Sequence, residues 1–250
     1  MINWETAMTQ RLSVAQGTGH GPAQPMRHQG VGQSTEPDTT DALAGGAGIR
    51  ETLKRLITSS LDLVPGTDCA KVSVFEDGRL RTLVASSELA ASLDAAQQVA
   101  GHGPCLDAIS SRAAVCCTRL GTDARWPRFA RQAATAGVRS VLSCPVDVPG
   151  DLRATLTLFG IRTEMSSAQS AAIGAMLADH AALVFLNARQ ASQFRTALAS
   201  RDIIGHAKGM IMERFGVDAT RAFVMLKRIS QETNTPVCEL AARLAGSPAP

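Results

Sequence analysis

The stretch KVSVFEDGRLRTLVAS, residues 71–86, decides the fold. Apolar and polar residues alternate on either side of Asp77-Gly78, a pair that tolerates positive φ, so the stretch reads as two antiparallel strands joined by a tight turn. A second hairpin is expected where VRSVLSCPVDV (138–148) and ATLTLFGI (154–161) flank Pro149-Gly150-Asp151. Helical patterns surround these strands. IRETLKRLITSSLDLV (49–64) sets Ile49, Leu53, Leu56, Ile57, Leu61 and Val64 on one face. AAVCCTRL (113–120) reads as a short strand, and WPRFARQAATAG (126–137) as a helix ending at Gly137. Helix, hairpin, connecting helices, more strands and a closing helix amount to an α+β fold built around one antiparallel sheet.

The chain has 250 residues, 45% of them hydrophobic and 19% charged, values typical of a globular protein with room for one large or two modest domains. No apolar run approaches the ~18 residues that would span a bilayer, so no membrane partner is expected. The N-terminus lacks a basic region followed by an apolar core, which points to the cytoplasm. A net charge of +3 permits a nucleic-acid partner without demanding one. Six cysteines (Cys69, Cys105, Cys116, Cys117, Cys144, Cys238) show no CxxC pair, so reduced thiols are expected and no metal site. In an alternating strand Cys116 and Cys117 face opposite sides of the sheet, and a disulfide between them would be strained.

Residues 1–47 are rich in Gly, Pro, Gln and Thr with few large apolar side chains, and read as a disordered leader with a short helix around Trp4 to Leu12. The closing helix starts near Ser166 and runs to about Phe215. Along it Ile173, Leu177, His180, Val184, Asn187, Ala191, Phe194 and Leu198 follow a 4-3 spacing, a heptad seam with two polar interruptions. A parallel homodimer is therefore expected, with Met176 and Leu183 packing on the sheet from an adjoining face. The rest of that helix contributes Ile203, Ile204, Ala207, Met210, Ile211 and Phe215 to a small helical bundle. DATRAFVMLKRISQETN (218–234) adds a stripe of Ala219, Ala222, Phe223, Leu226, Ile229 and Ser230. TPVCELAARLAG (235–246) adds a last helix, with Thr235 as N-cap and Pro236 at the first helical position.

Within HAKGMIMERFG (206–216) and its neighbour Gly205, two helical glycines flank Lys208. Each glycine costs about 1 kcal/mol against alanine, so either a close backbone approach offsets that cost or the helix end does something besides packing. The stretch from Arg201 to Gly246, with its AKGMIMER core (207–214), AFVMLKRIS helix (222–230), Asn234 and closing ELAARL, resembles an ANTAR domain, the RNA-binding module of bacterial transcription-antitermination regulators. The preceding 140 or so residues, through GHGPCLDAI (101–109), RWPRFA (125–130) and GVRSVLSCPV (137–146), resemble a GAF domain.

Beyond the leader (1–47), the resemblance implies a GAF sensor (48–190) and an ANTAR module (191–250), the two joined by a signalling helix (166–198). It implies binding of tandem RNA stem-loops, with Arg201, Ala207, Lys208, Gly209, Arg214, Lys227, Arg228, Ser230 and Asn234 as RNA-contacting residues. Eight basic against five acidic residues from Arg195 to Gly246 suit recognition of loop bases and shape over blanket phosphate attraction. It also implies a small-molecule pocket at His102, Cys105, Cys117, Arg119 and Trp126, ligand unknown, with no cofactor assigned. Two positions depart from the family pattern: residue 102 is His where an acidic residue is common, and residue 119 is Arg where Asp is common. No enzymatic activity is expected. The competing readings are a GAF-fold redox enzyme reducing free methionine sulfoxide, which requires a reactive thiolate, and a DNA-binding helix-turn-helix regulator, which the sparse positive charge disfavours.

Overall fold

The computed structural model describes residues 47–148, 150, 152–162, 165 and 168–246. The expected leader, save its last residue, and the expected helix start at Ser166 lie outside them. The chain divides into two compact units at the junction of Ser192 and Gln193.

The first unit holds the sheet. Helix α1 (Ala47–Leu63) leads into β1 (Cys69–Glu76) and β2 (Arg79–Ala85), the first hairpin. Asp77 and Gly78 take φ of 48° and 76°, the double positive φ that matches the twist of a two-residue hairpin. Helices α2 (Glu88–Ala100) and α3 (Pro104–Ser111) follow, then β3 (Val115–Cys117), helix α4 (Pro127–Thr135), β4 (Ser140–Asp147) and β5 (Arg153–Gly160). Ser87 caps α2 by accepting from the Ala90 N–H, and Gly101 ends it in the left-handed conformation. The strand order is β2-β1-β5-β4-β3, with every neighbouring pair antiparallel.

The two faces of this sheet differ in chemistry. One is apolar: Val72, Val74, Leu142, Leu156 and Leu158 meet Leu53 and Ile57 of α1, and Leu177, Ala178, Ala181 and Phe185 of helix α5 (Ala168–Phe215). Gly174 permits that contact, because a Cβ there would sit 2.9 Å from Leu142 Cδ2 and 3.0 Å from Cys144 Sγ. The other face is covered by α2, α3 and α4, where Leu93, Phe129 and Ala133, with Trp126 at the start of α4, pack with Val141 and Phe159.

Helix α5 corrects the expected seam. Leu177 is 5% exposed, and Ile173 and Val184 pack beside it on the protein's own sheet. Met176 and Leu183, expected on the sheet, are 51% and 54% exposed. The first part of α5 therefore turns the Leu177 stripe inward, where the apolar strand face is its partner. α5 also contains an 18-residue window of mean hydropathy 1.5, apolar enough to cross a membrane by length and composition. In that window 33% is buried, and Leu177, Ala181 and Phe185 of the same helix pack against the sheet.

The second unit contains the end of α5 with α6 (Ala219–Thr233) and α7 (Val237–Ala245). Its core is Ala207, Ile211, Ala222, Leu226 and Ala241, flanked by Ile203, Ile204, Met212, Phe215 and Met225. Asp218 caps α6, its Oδ1 accepting from the Arg221 N–H at 2.7 Å. Three expectations change here. Met210 is 49% exposed and Phe223 42% exposed, so both leave the core stripe. Pro236 occupies the cap position of α7, while the Thr235 hydroxyl donates to the Thr233 carbonyl.

Candidate nucleic-acid interface and sensor site

In the second unit two stripes of side chains lie beside the core. On α5, Arg201, Gly205 and Lys208 follow i, i+4, i+7 spacing and share one face. On α6, Phe223, Lys227 and Ser230 follow i, i+4, i+7 spacing, and Asn234 caps the helix at i+11. The stripes meet where Lys208 Nζ lies 6.0 Å from the centre of the exposed Phe223 ring. Gly205 and Gly209 are exposed, and a Cβ added at either would meet nothing within 4 Å. Packing within the chain therefore does not require either glycine.

The expected RNA-contacting residues separate on this frame. Arg201, Lys208, Gly209 and Lys227 stand at the surface along or beside the two stripes. Ala207 is fully buried, so it supports the surface from below and does not itself reach a ligand. Arg214 is exposed but rotated about 120° from Lys208 around the helix, on the adjoining flank. Arg228 lies off the Phe223 stripe and approaches Glu232 at 3.6 Å. The Ser230 hydroxyl donates to the Thr235 carbonyl at 2.6 Å, and Asn234 ends α6 at φ 49°. These two shape the turn between α6 and α7. Phe223 was missed as a surface group because its position beside Ala222 reads as core, and only packing reveals which flank stays open.

In the first unit, the face of the sheet under α2 and α3 carries a buried row of polar groups. Lys71, Thr157 and Ser143 are cross-strand partners, with Ser73 and Thr155 paired in the next row. Lys71, fully buried, forms an ion pair with Asp94 of α2. The Ser73 hydroxyl donates to the second Asp94 oxygen at 2.6 Å, and the Thr82 hydroxyl donates to it as well. Gln97 donates from Nε2 to Cys105 Sγ at 3.0 Å and accepts the Cys105 backbone N–H at 2.8 Å. Cys105 Sγ is 3.2 Å from the Thr157 hydroxyl, which is 3.0 Å from that of Ser143. Gly103 makes room for Gln97, since a Cβ there would lie 2.4 Å from its side chain. Thr155 Oγ1 and His102 Nδ1 are buried without a hydrogen-bond partner among the described residues.

The expected pocket residues are thus only partly gathered. Cys105 belongs to the polar row. Trp126 is 1% exposed and donates from Nε1 to Asp107 of α3 at 2.8 Å, with the Arg125 guanidinium 4.2 Å from the indole centre. Cys117 is buried in the cluster around Trp126. Arg119 is exposed, away from that row. Sequence reasoning missed Lys71, Asp94 and Gln97. The alternation in Lys71-Val-Ser73-Val was visible, but a polar strand face ordinarily meets water, and only the covering helices bury it.

All six cysteines are free. Cys116 is exposed and Cys117 buried, on opposite sides of the strand as expected. Burial, with the Asp123 hydrogen bond, pushes the Cys117 thiol up to about 11, and burial pushes that of Cys144 up to about 12. Cys69 and Cys116 are raised for the same reason. These four thiols stay protonated near neutral pH, which opposes the thiolate chemistry that the redox reading requires.

Comparison with known proteins places both units. A family described as GAF domain matches residues 46–185, and one described as ANTAR domain matches residues 192–244. No curated protein matches the chain. Among solved structures, a domain of a putative two-component sensor histidine kinase from Sinorhizobium meliloti 1021 is 15% identical, with 60% of this chain and 99% of that chain covered at a TM-score of 0.51. A GAF domain/HD domain protein from Geobacter sulfurreducens is 21% identical, with 59% and 98% covered at a TM-score of 0.47. A type II free methionine-R-sulfoxide reductase from Thermoplasma acidophilum is 17% identical, with 57% and 94% covered at a TM-score of 0.46. At such identities the Sinorhizobium likeness speaks to the fold alone. The chain belongs to the GAF domain family, and with an ANTAR domain following the GAF domain it is a regulator that joins a sensor to an RNA-binding module.

Proposed function

We propose that the protein is a cytoplasmic transcription antitermination regulator that binds tandem RNA stem-loops as a homodimer, under control of a small molecule at its GAF domain. The observation that carries the RNA reading is the junction of Lys208 with the exposed Phe223 ring between two polar stripes. An exposed aromatic beside a cation offers a stacking platform for an unpaired loop base and a charge for its phosphate. Glycines with open space around them let an RNA backbone come close to the helix.

The dimer would form along the outward face of α5. Met176, His180, Leu183, Asn187, Ala191, Phe194 and Leu198 are all exposed, at intervals of 4-3-4-4-3-4. That is an 11-residue repeat traversed twice, which tracks a straight helix better than a heptad does. The signal would bind on the buried polar row, where Thr155 Oγ1 has no partner among the described residues.

The test is binding of the full chain to a tandem stem-loop RNA over a salt series, against Lys208→Ala and Phe223→Ala. Lys208→Ala should weaken binding and lower the salt slope by about one, whereas Phe223→Ala should weaken binding at unchanged slope. Equal affinity of all three proteins would refute the surface.

A further inference from the structure

The first unit has a recess at the end of the sheet, away from the polar row. It is an open cleft of about 740 Å³. Three arginines line it, each from a different chain segment: Arg119 after β3, Arg139 before β4 and Arg162 after β5. They converge because those strands are neighbours and their pairing continues past the strand ends. The Leu120 N–H donates to the Arg139 carbonyl at 2.7 Å, and the Arg139 N–H to the Gly160 carbonyl at 2.8 Å. The opposing wall is small, with Ala134 and a Gly137 held at φ 89°.

The charges do not balance. Asp68 is already committed: it meets Arg162 Nε at 2.7 Å and accepts the backbone N–H groups of Ile161 and Arg162. Arg119 and Arg139 are exposed and make no side-chain hydrogen bond or ion pair among the described residues. Among the described residues, two permanently charged guanidiniums thus share a cleft without a counter-charge. Guanidinium forks match phosphate oxygens in pairs, and a phosphate monoester brings a charge near −2. The cleft exceeds what an inorganic ion would fill and has the size of an ordinary small-ligand site.

We propose that this cleft binds a small phosphorylated molecule, its phosphoryl group held between Arg119 and Arg139. The site is separate from the polar row of the same unit. Its ligand meets the domain at the strand ends.

Titration calorimetry on the full chain, with inorganic pyrophosphate as the probe, tests it. Wild type should bind pyrophosphate, the Arg119→Ala/Arg139→Ala protein should bind about tenfold or more weakly, and Arg128→Ala, an exposed arginine of α4 outside the cleft, should bind within about twofold of wild type. Arg119→Lys/Arg139→Lys should fall between, keeping charge but losing the fork. Absence of pyrophosphate binding by wild type, or equal binding by the double alanine protein, would overturn the proposal. So would displacement of pyrophosphate by a twelve-residue polyuridine that the double alanine protein no longer binds, since the cleft would then be a nucleic-acid surface. Unchanged stem-loop affinity of the double variant keeps this result independent of the RNA reading.

Discussion

Substitution of Gly205 and Gly209 by alanine separates stability from function in the RNA-binding unit. Both glycines lie inside a continuous helix, and a Cβ at either meets nothing within 4 Å. No packing penalty opposes the usual gain of about 1 kcal/mol per glycine replaced, so the double variant should stabilise the unit by about 1–2 kcal/mol. Amide hydrogen exchange across residues 203–215 reads this locally, and about 1 kcal/mol corresponds to roughly fivefold slower exchange. If the glycines exist so that RNA can approach, stem-loop affinity should fall about tenfold in the same protein, a loss near 1.4 kcal/mol. Slower exchange with full RNA affinity would refute the close-approach argument. Faster exchange would refute the reading of open space around the two residues.

Further outcomes follow from other parts of the chain. Asp94→Ala should cost the sheet unit about 3–5 kcal/mol in urea unfolding, because it strands Lys71 in the interior; Lys71→Met with Asp94→Leu should be near neutral. Phe194→Asp should dissociate the proposed dimer in sedimentation, whereas Leu177→Ala should leave that assembly unchanged and destabilise the sheet unit by about 2–5 kcal/mol. Acid unfolding should be shallower in Asp123→Asn. Hydrogen bonds from Arg125 hold the Asp123 carboxyl well below the usual range, so the folded state binds fewer protons there than the unfolded chain; that stability is complete above the unfolded pKa near 4 and is lost as pH falls below it.

What could be read from the sequence follows from how local each signal is. The first hairpin needs only alternation and Asp77-Gly78, and both act within a few residues. The α1 stripe ending at Val64 likewise specifies its own buried face. The seam of α5 was misplaced because the helix carries two apolar stripes. Leu177 and Val184 fit a 4-3 spacing as well as Met176 and Leu183 fit the neighbouring stripe, and only the sheet decides which is covered. The cleft arginines are 20 and 23 residues apart in sequence, and nothing local joins Arg119 to Arg139 or Arg139 to Arg162. Strand order does, since β3, β4 and β5 place their ends together.

The same sheet also limits how a signal can reach α5. Ser143 and Thr157 line the polar face, while their chain neighbours Leu142 and Leu158 point to the opposite face and pack with the α5 side of the core. A ligand on the polar row is therefore one strand thickness from that helix. The contact is unforgiving at Gly174, where even a methyl group would crowd Leu142 and Cys144. Small shifts of β4 must be taken up by α5, because a close-packed core transmits displacement and does not absorb it. Such a ligand would shift β4 and α5 between arrangements only by its differential affinity for them. The buried Lys71–Asp94 pair provides a source for that difference, since a polar ligand that rearranged its hydrogen bonds would change the energy of a charge already removed from water.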